Sequence, residues 1–220
     1  MDIRESVKCE IQKIVEKGQH VNEEVIAFIK ADYEKTLSDI GMGIETIQTT
    51  TEQYLEGIEA GLAAAGHKSG ELMKKAAQAM LEVSKKVNDR TIEIAHQAAE
   101  NAKTALSKSL EGARGSANEA DESVSNTMTV AYEKFLDAGK RGKQRLEAVG
   151  QGIRAYASRK GADLSSETQK ALHKTADRSK KLVKEWSRSL ESYGKQLLSH
   201  SLEKTAAWLG KLSQKIKDDQ

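Results

Sequence analysis

The side chains able to do chemistry in this chain are few and scattered. The nearest approach to a metal-ligand pattern is Glu93-Ile-Ala-His96, whose Glu-x-x-His spacing sets both side chains on one helix face. Helical di-iron bundles need two such pairs and two further glutamates, and the chain holds a single pair. The other histidines, His20, His67, His173 and His200, share no spacing that would bring them to one ion. His96 has Ile92 and Ala99 as neighbours and reads as an ordinary interface histidine. Cys9 has no assignable histidine partner and sits one position off the apolar stripe of its helix, the place of a small half-buried residue and not of a nucleophile. The sequence contains no Walker loop, no Gly-x-Gly-x-x-Gly, no His-Glu-x-x-His and no paired-cysteine metal site. These residues predict no catalytic centre, no metal and no cofactor.

Two clusters suggest contact instead of catalysis. Lys140, Arg141, Lys143 and Arg145 form a basic group that continues through Arg154, Arg159 and Lys160. Binding phosphate needs little more than such charge, so these seven are a candidate contact for nucleic acid or an anionic membrane; the alternative is a solvated helix face. Further on, Trp186, Tyr193 and Trp208 stand among Lys180, Lys181, Lys184, Arg188, Lys195, Lys204 and Lys211. Positions there recur every eleven residues, as in Leu164, Thr175, Trp186, Leu197 and Trp208. Parallel tracks run Thr168, Ser179, Leu190, Ser201, Leu212 and Leu172, Val183, Gly194, Thr205, Ile216. An eleven-residue repeat is about 3.67 residues per turn, which keeps a stripe nearly straight along a helix. Leu172, Val183, Trp186, Leu190, Tyr193, Leu197, Trp208, Leu212 and Ile216 are therefore a candidate interaction stripe. Such a helix either lies on an interface or packs in a bundle with lysine stems covering the rim. Two exposed tryptophans would be a liability, which favours the bundle.

The elements that must position these residues are helices. The 220 residues include no proline, and aromatics are only 4%. Proline is common in loops and breaks helix interiors, so its absence predicts long helices, while sparse aromatics and unalternating β-branched residues leave little to build sheets from. Glycines supply the punctuation. Short helices are expected from Asp2 to Lys17, from Asn22 as N-cap to the Gly41–Gly43 turn, and from Ile44 to Gly66. Long ones follow from Gly70 to Glu111, from Ala117 to Lys160, and from a cap at Asp163 or Ser165 to Lys217, with Glu167 in the first turn. The fourth helix carries Leu72, Ala76, Met80, Val83, Val87, Ile94 and Ala98 on its apolar face. Gly139, Gly142, Gly150 and Gly152 in the fifth each cost up to about 1 kcal/mol of helix propensity and mark a break, a bend or a close helix contact. Gly57-x-x-x-Gly61 in the third has the spacing of a close-approach motif; the adjacent Glu56 and Glu59 exclude a membrane-buried one.

The expected fold is all-α, an elongated bundle of amphipathic helices, with an acidic region of three shorter helices at 1–66 and a long-helix region at 67–220. Hydrophobic residues are 38% against 31% charged, which implies narrow apolar stripes and thin cores. One cysteine, a charged N-terminus and no apolar run of membrane length point to a cytoplasmic protein. The net charge of +2 conceals a gradient. Residues 1–66 hold six Lys/Arg against thirteen Asp/Glu, and residues 139–220 hold nineteen against nine. The two ends either pair with each other or the basic end meets an external polyanion.

The alanine-rich runs Ala76-Ala77-Gln78-Ala79-Met80-Leu81 and Ala95-His96-Gln97-Ala98-Ala99-Glu100-Asn101-Ala102 resemble those of the bacterial phasins. Phasins are helical proteins that coat polyhydroxyalkanoate granules and self-associate. The eleven-residue recurrence is similar to that of lipid-droplet and apolipoprotein-like helices. The segments Ile14-Val15-Glu16-Lys17-Gly18 and Leu55-Glu56-Gly57 look like a further family of bacterial helical proteins. The resemblance implies a scaffold that forms homo-oligomers and coats a granule, lipid or anionic surface, and it carries over no functional residues. The basic C-terminal half departs from the neutral or acidic phasin pattern.

Overall fold

The computed structural model describes the backbone at residues 2–39, 43–67, 70–112, 117–161 and 163–218. Within these, the side chains of 39, 103, 105–112, 117–128, 132 and 196–218 are not described. Among the described residues there are six helices and no strand: α1 (Ile3–Lys17), α2 (Val21–Asp39), α3 (Ile44–Ala64), α4 (Gly70–Gly112), α5 (Ala117–Arg159) and α6 (Ser166–Asp218). The all-α class is as the composition requires. Asp2 caps α1, its carboxylate accepting the Arg4 N–H at 3.0 Å, and Gly18 closes the helix in the left-handed conformation (φ 72°). Ser165 caps α6 by accepting the Thr168 N–H at 3.2 Å. The expected cap at Asn22 is displaced. His20 adopts φ 50° and its carbonyl accepts the Glu24 N–H, so the corner after α1 is complete by His20 and α2 starts at Val21.

Two compact units share the long helices. The first comprises residues 1–90 and 141–185, the second 91–140 and 186–220. The division crosses α4, α5 and α6.

Unit 1 holds the larger described core. The crossing of α1 and α3 is set by glycine. A Cβ at Gly57 would lie 2.7 Å from the Arg4 carbonyl oxygen and 2.8 Å from Val7 Cβ, and one at Gly61 would lie 2.7 Å from Ile11 Cβ. No side chain fits there, so Val7, Ile11 and Ile14 of α1 sit directly against α3. Tyr33 of α2 and Tyr54 of α3 pack edge to face with ring centroids 5.0 Å apart. Their hydroxyls are satisfied across the same interface. Tyr33 is hydrogen-bonded to Thr51 Oγ1 at 2.7 Å, and Tyr54 donates to the Asp32 carboxylate at 2.6 Å. Burial holds both phenols well above their ordinary pKa.

The buried face of α4 runs through Met73, Ala77, Met80, Ser84, Val87 and Asn88 to Ile92 and Ala99. Ile94 and Ala98, assigned above to that face, are exposed. Ile94 follows Ile92 by two residues, about 200° around the helix, so only one of the two can face inward. The α5 glycines mark close contacts within a continuous helix. A Cβ at Gly152 would sit 2.7 Å from the Gln48 carbonyl oxygen of α3, and Gly150 abuts Ser179 and Ala176 of α6. Asn88 Nδ2 donates to the Gly142 carbonyl at 2.7 Å and its Oδ1 accepts from Arg145 Nη1 at 2.7 Å, which fixes the register of α4 on α5.

Candidate interaction surface

The seven basic residues proposed as one anion contact are not brought together. Arg145 is partly buried against Asn88, and burial, with Arg141 beside it, lowers its pKa. Arg154 pairs with Asp177 of α6. Arg159 bridges Glu52 and Glu56 of α3 at 3.0 and 2.6 Å, and Lys160 reaches Glu59 at 3.1 Å. Arg141 is also engaged. Lys140 and Lys143 are exposed and make no ion pair among the described residues. The end of α5 thus meets the acidic third of the chain within unit 1. Glu52, Glu56 and Glu59 line up on α3 opposite Arg159 and Lys160, with Tyr156 buried beside them. Burial, and then the Glu59 carboxylate, hold the Tyr156 phenol well above its usual value.

The described part of the apolar stripe on α6 turns inward. In unit 1, Leu172 is buried and Val183 half-buried. In unit 2, Trp186 is 6% exposed and its indole N–H donates to the Gly139 carbonyl at 3.1 Å. Leu190 packs on the same glycine, where a Cβ would fall 2.7 Å from Leu190 Cδ2. Tyr193 sits at the rim with its ring centroid 5.4 Å from that of His96. The side chains of Leu197, Trp208, Leu212 and Ile216 lie outside the described residues, as does that of His200. His96 is therefore a ring-packing residue beside Tyr193, while Glu93 is exposed. Among the described residues no group of three or more His, Cys, Asp or Glu could hold a metal ion.

Cys9 is exposed, against the half-buried position expected, because Val7, Ile11 and Ile14 define the packed face of α1 and position 9 lies off it. Among the described residues no helix is long and apolar enough to cross a membrane.

No family model, curated protein or solved structure matches the chain.

Two surfaces stand out from the geometry. Unit 2 carries four of the five exposed large hydrophobic residues described: Ile94 (70%), Val130 (49%), Leu136 (51%) and Tyr193 (40%). In unit 1 the outer face of α6 carries Lys170, Lys174, Arg178, Lys181 and Lys184, all exposed. Lys181 and Lys184 of this row are among the cations noted around the tryptophans, whereas Lys170, Lys174 and Arg178 extend it toward the start of the helix. Its signal was the helical spacing of successive cations by three or four residues, with Asp177 the sole carboxylate between Lys170 and Lys184.

Proposed function

We propose that the protein is a non-enzymatic helical scaffold that self-associates through the apolar residues of unit 2, in the manner that its resemblance to phasins implies. The observation that carries this reading is the uneven distribution of apolar surface. Among the described residues, unit 2 buries only Ile92, Ala99, Phe135, Ala138 and Trp186 as its hydrophobic core, yet leaves four large hydrophobic side chains exposed. Covering apolar side chains is favourable by about 25 cal/mol per Å², so a second copy seated on unit 2 is favoured to the extent that it covers side chains the unit leaves in water.

The polar interior supports a scaffold role. Asn88, Tyr33, Tyr54 and Trp186 spend their hydrogen bonds on neighbouring helices, and Thr51 meets Tyr33 of α2 while donating to the Ile47 carbonyl of its own helix. These buried polar side chains are thereby committed to fixing helix registers. An apolar granule or droplet surface is the second occupant that the same residues suit.

Size-exclusion chromatography with light scattering tests the reading. The expected mass is a multiple of 24.1 kDa that persists on dilution into the micromolar range. A single-chain mass at every concentration would dismiss self-association, and no adsorption to a triacylglycerol emulsion would dismiss the second occupant.

A further inference from the structure

We infer that the outer face of α6 in unit 1 is an electrostatic docking surface for an anionic lipid membrane. Lys170, Lys174, Arg178, Lys181 and Lys184 are all exposed. At 100° per residue they fall within a sector of about 120°, and at 1.5 Å per residue they extend over about 21 Å. The opposite side of this stretch holds Leu172, Thr175, Ala176 and Ser179, all buried, so the cations are held outward by the packing of the helix.

Their charge is not spent inside the protein. None of the five side chains makes an ion pair or hydrogen bond among the described residues, in contrast to Arg154 and Arg159 of α5 and Lys160 just after it. Asp177, the one carboxylate in the row, is already paired with Arg154 and lies 3.6 Å from Lys180. Exposed Glu167 and Glu185 bound the row at its two ends, and between them the five cations leave the crest with a net positive charge.

The chemistry of the face selects the occupant. A straight convex ridge with its cations along the crest meets a plane with all of them at once, and clusters of four to eight Lys/Arg on a helix are the make-up of anionic-lipid contacts. Between 170 and 184 there is no Phe, Tyr or Trp on which a base could stack and no Asn or Gln to read a base edge, and the one imidazole, His173, is half-buried. The apolar side of this stretch is committed to the core, so attachment is peripheral and electrostatic, without insertion. The inference does not depend on self-association, since one chain presents the whole row.

Sedimentation of the full chain with vesicles of seven parts phosphatidylcholine to three parts phosphatidylserine tests it. Binding is expected at about 50 mM salt, is lost by about 300 mM as the charges are screened, and is absent with phosphatidylcholine alone. Each neutralised cation is expected to weaken binding about fivefold, so K174Q/R178Q/K181Q loses about a hundredfold. The control K17Q/K35Q/K75Q removes the same charge from exposed positions elsewhere and should retain most of the binding. Both triples alter only exposed side chains, and an unchanged circular dichroism melt confirms the fold. Equal loss in the two triples, no loss in the first, or tighter binding to a short DNA duplex than to the vesicles would each overturn the assignment.

Discussion

Replacing Gly61 tests the packing of α1 on α3. A methyl group there would meet Ile11 Cβ at 2.7 Å and the Lys8 carbonyl oxygen at 2.8 Å. Neither atom is the end of a flexible side chain, so the clash is relieved only by moving α1 outward by roughly 1 Å, given an optimal heavy-atom separation of about 3.5–4.0 Å. Overpacking of this kind costs about 1–3 kcal/mol, while alanine in place of glycine returns about 1 kcal/mol of helix propensity. Gly61→Ala should therefore destabilise by up to about 2 kcal/mol. Gly61→Val adds bulk with less propensity gain and should cost about 2–4 kcal/mol. The ceiling is loss of the α1 contact, in which Val7, Ile11 and Ile14 are buried, at about 1.5–3 kcal/mol each. Ala60→Gly, one residue away, supplies the propensity scale in the same helix and should lose about 1 kcal/mol. Urea unfolding followed by circular dichroism reads all three. A Gly61→Ala protein more stable than the parent by the amount that Ala60→Gly loses would refute the close crossing.

Asn88→Ala leaves the Gly142 carbonyl and the Arg145 guanidinium without their buried partner and should cost about 2–4 kcal/mol in the same urea assay; a loss below about 0.5 kcal/mol would argue against the clamp. Trp186→Phe removes the bond to Gly139 and part of the buried indole's bulk, with an expected loss of about 1–3 kcal/mol. In a Trp208→Phe background the remaining Trp186 should emit as a buried indole, and emission at the wavelength of free tryptophan would contradict its burial. Tyr33, Tyr54 and Tyr156 have folded pKa values raised by burial above the ordinary 10.0. Their stabilising contribution is complete below pH 10.0 and is lost as pH rises from there toward the folded values. Phenolate absorbance of these three should therefore emerge together with unfolding; gradual ionisation of all five tyrosines in a folded protein would oppose this. Glu34 is shifted the other way, its carboxyl lowered chiefly by the hydrogen bond from Lys86, with Arg90 also contributing. Its contribution is present above the ordinary value of 4.5 and disappears as pH falls through the lowered one, so Glu34→Gln should flatten the acid side of the stability curve slightly.

Much of the fold could be read from punctuation. With no proline in the chain, Gly18, Gly66, Gly112 and the cap before Glu167 mark nearly every helix end, and α3 to α6 fall within a residue or two of the expected bounds. The α2 start was misread because Asn22 has the chemistry of a cap, whereas the actual corner rests on a left-handed His20 that residue type does not announce. The α5 glycines were ambiguous because a glycine that bends a helix and one that admits a neighbour look alike in sequence. The neighbours that decide, Ser179 and Thr51, lie far away along the chain. The same non-locality governed the basic residues. Lys140 to Lys160 form a cluster in sequence, but a span of about 30 Å along a helix distributes it over several partners, and Arg159 and Lys160 meet Glu52, Glu56 and Glu59 of α3. On α6 the periodicity identified the apolar side correctly for Leu172 and Trp186. Which side faced outward, and hence the lysine row, followed only once that packing was known.

The central proposal, self-association through unit 2, is tested most directly by the mass of Ile94→Lys/Leu136→Lys beside that of the parent, measured by light scattering at matched concentration. Both positions are exposed in the single chain, so the substitutions leave its fold intact. The account predicts a multiple of 24.1 kDa for the parent and a shift to the single-chain mass for the variant. An identical assembly in both proteins, or a single chain in both, would contradict it.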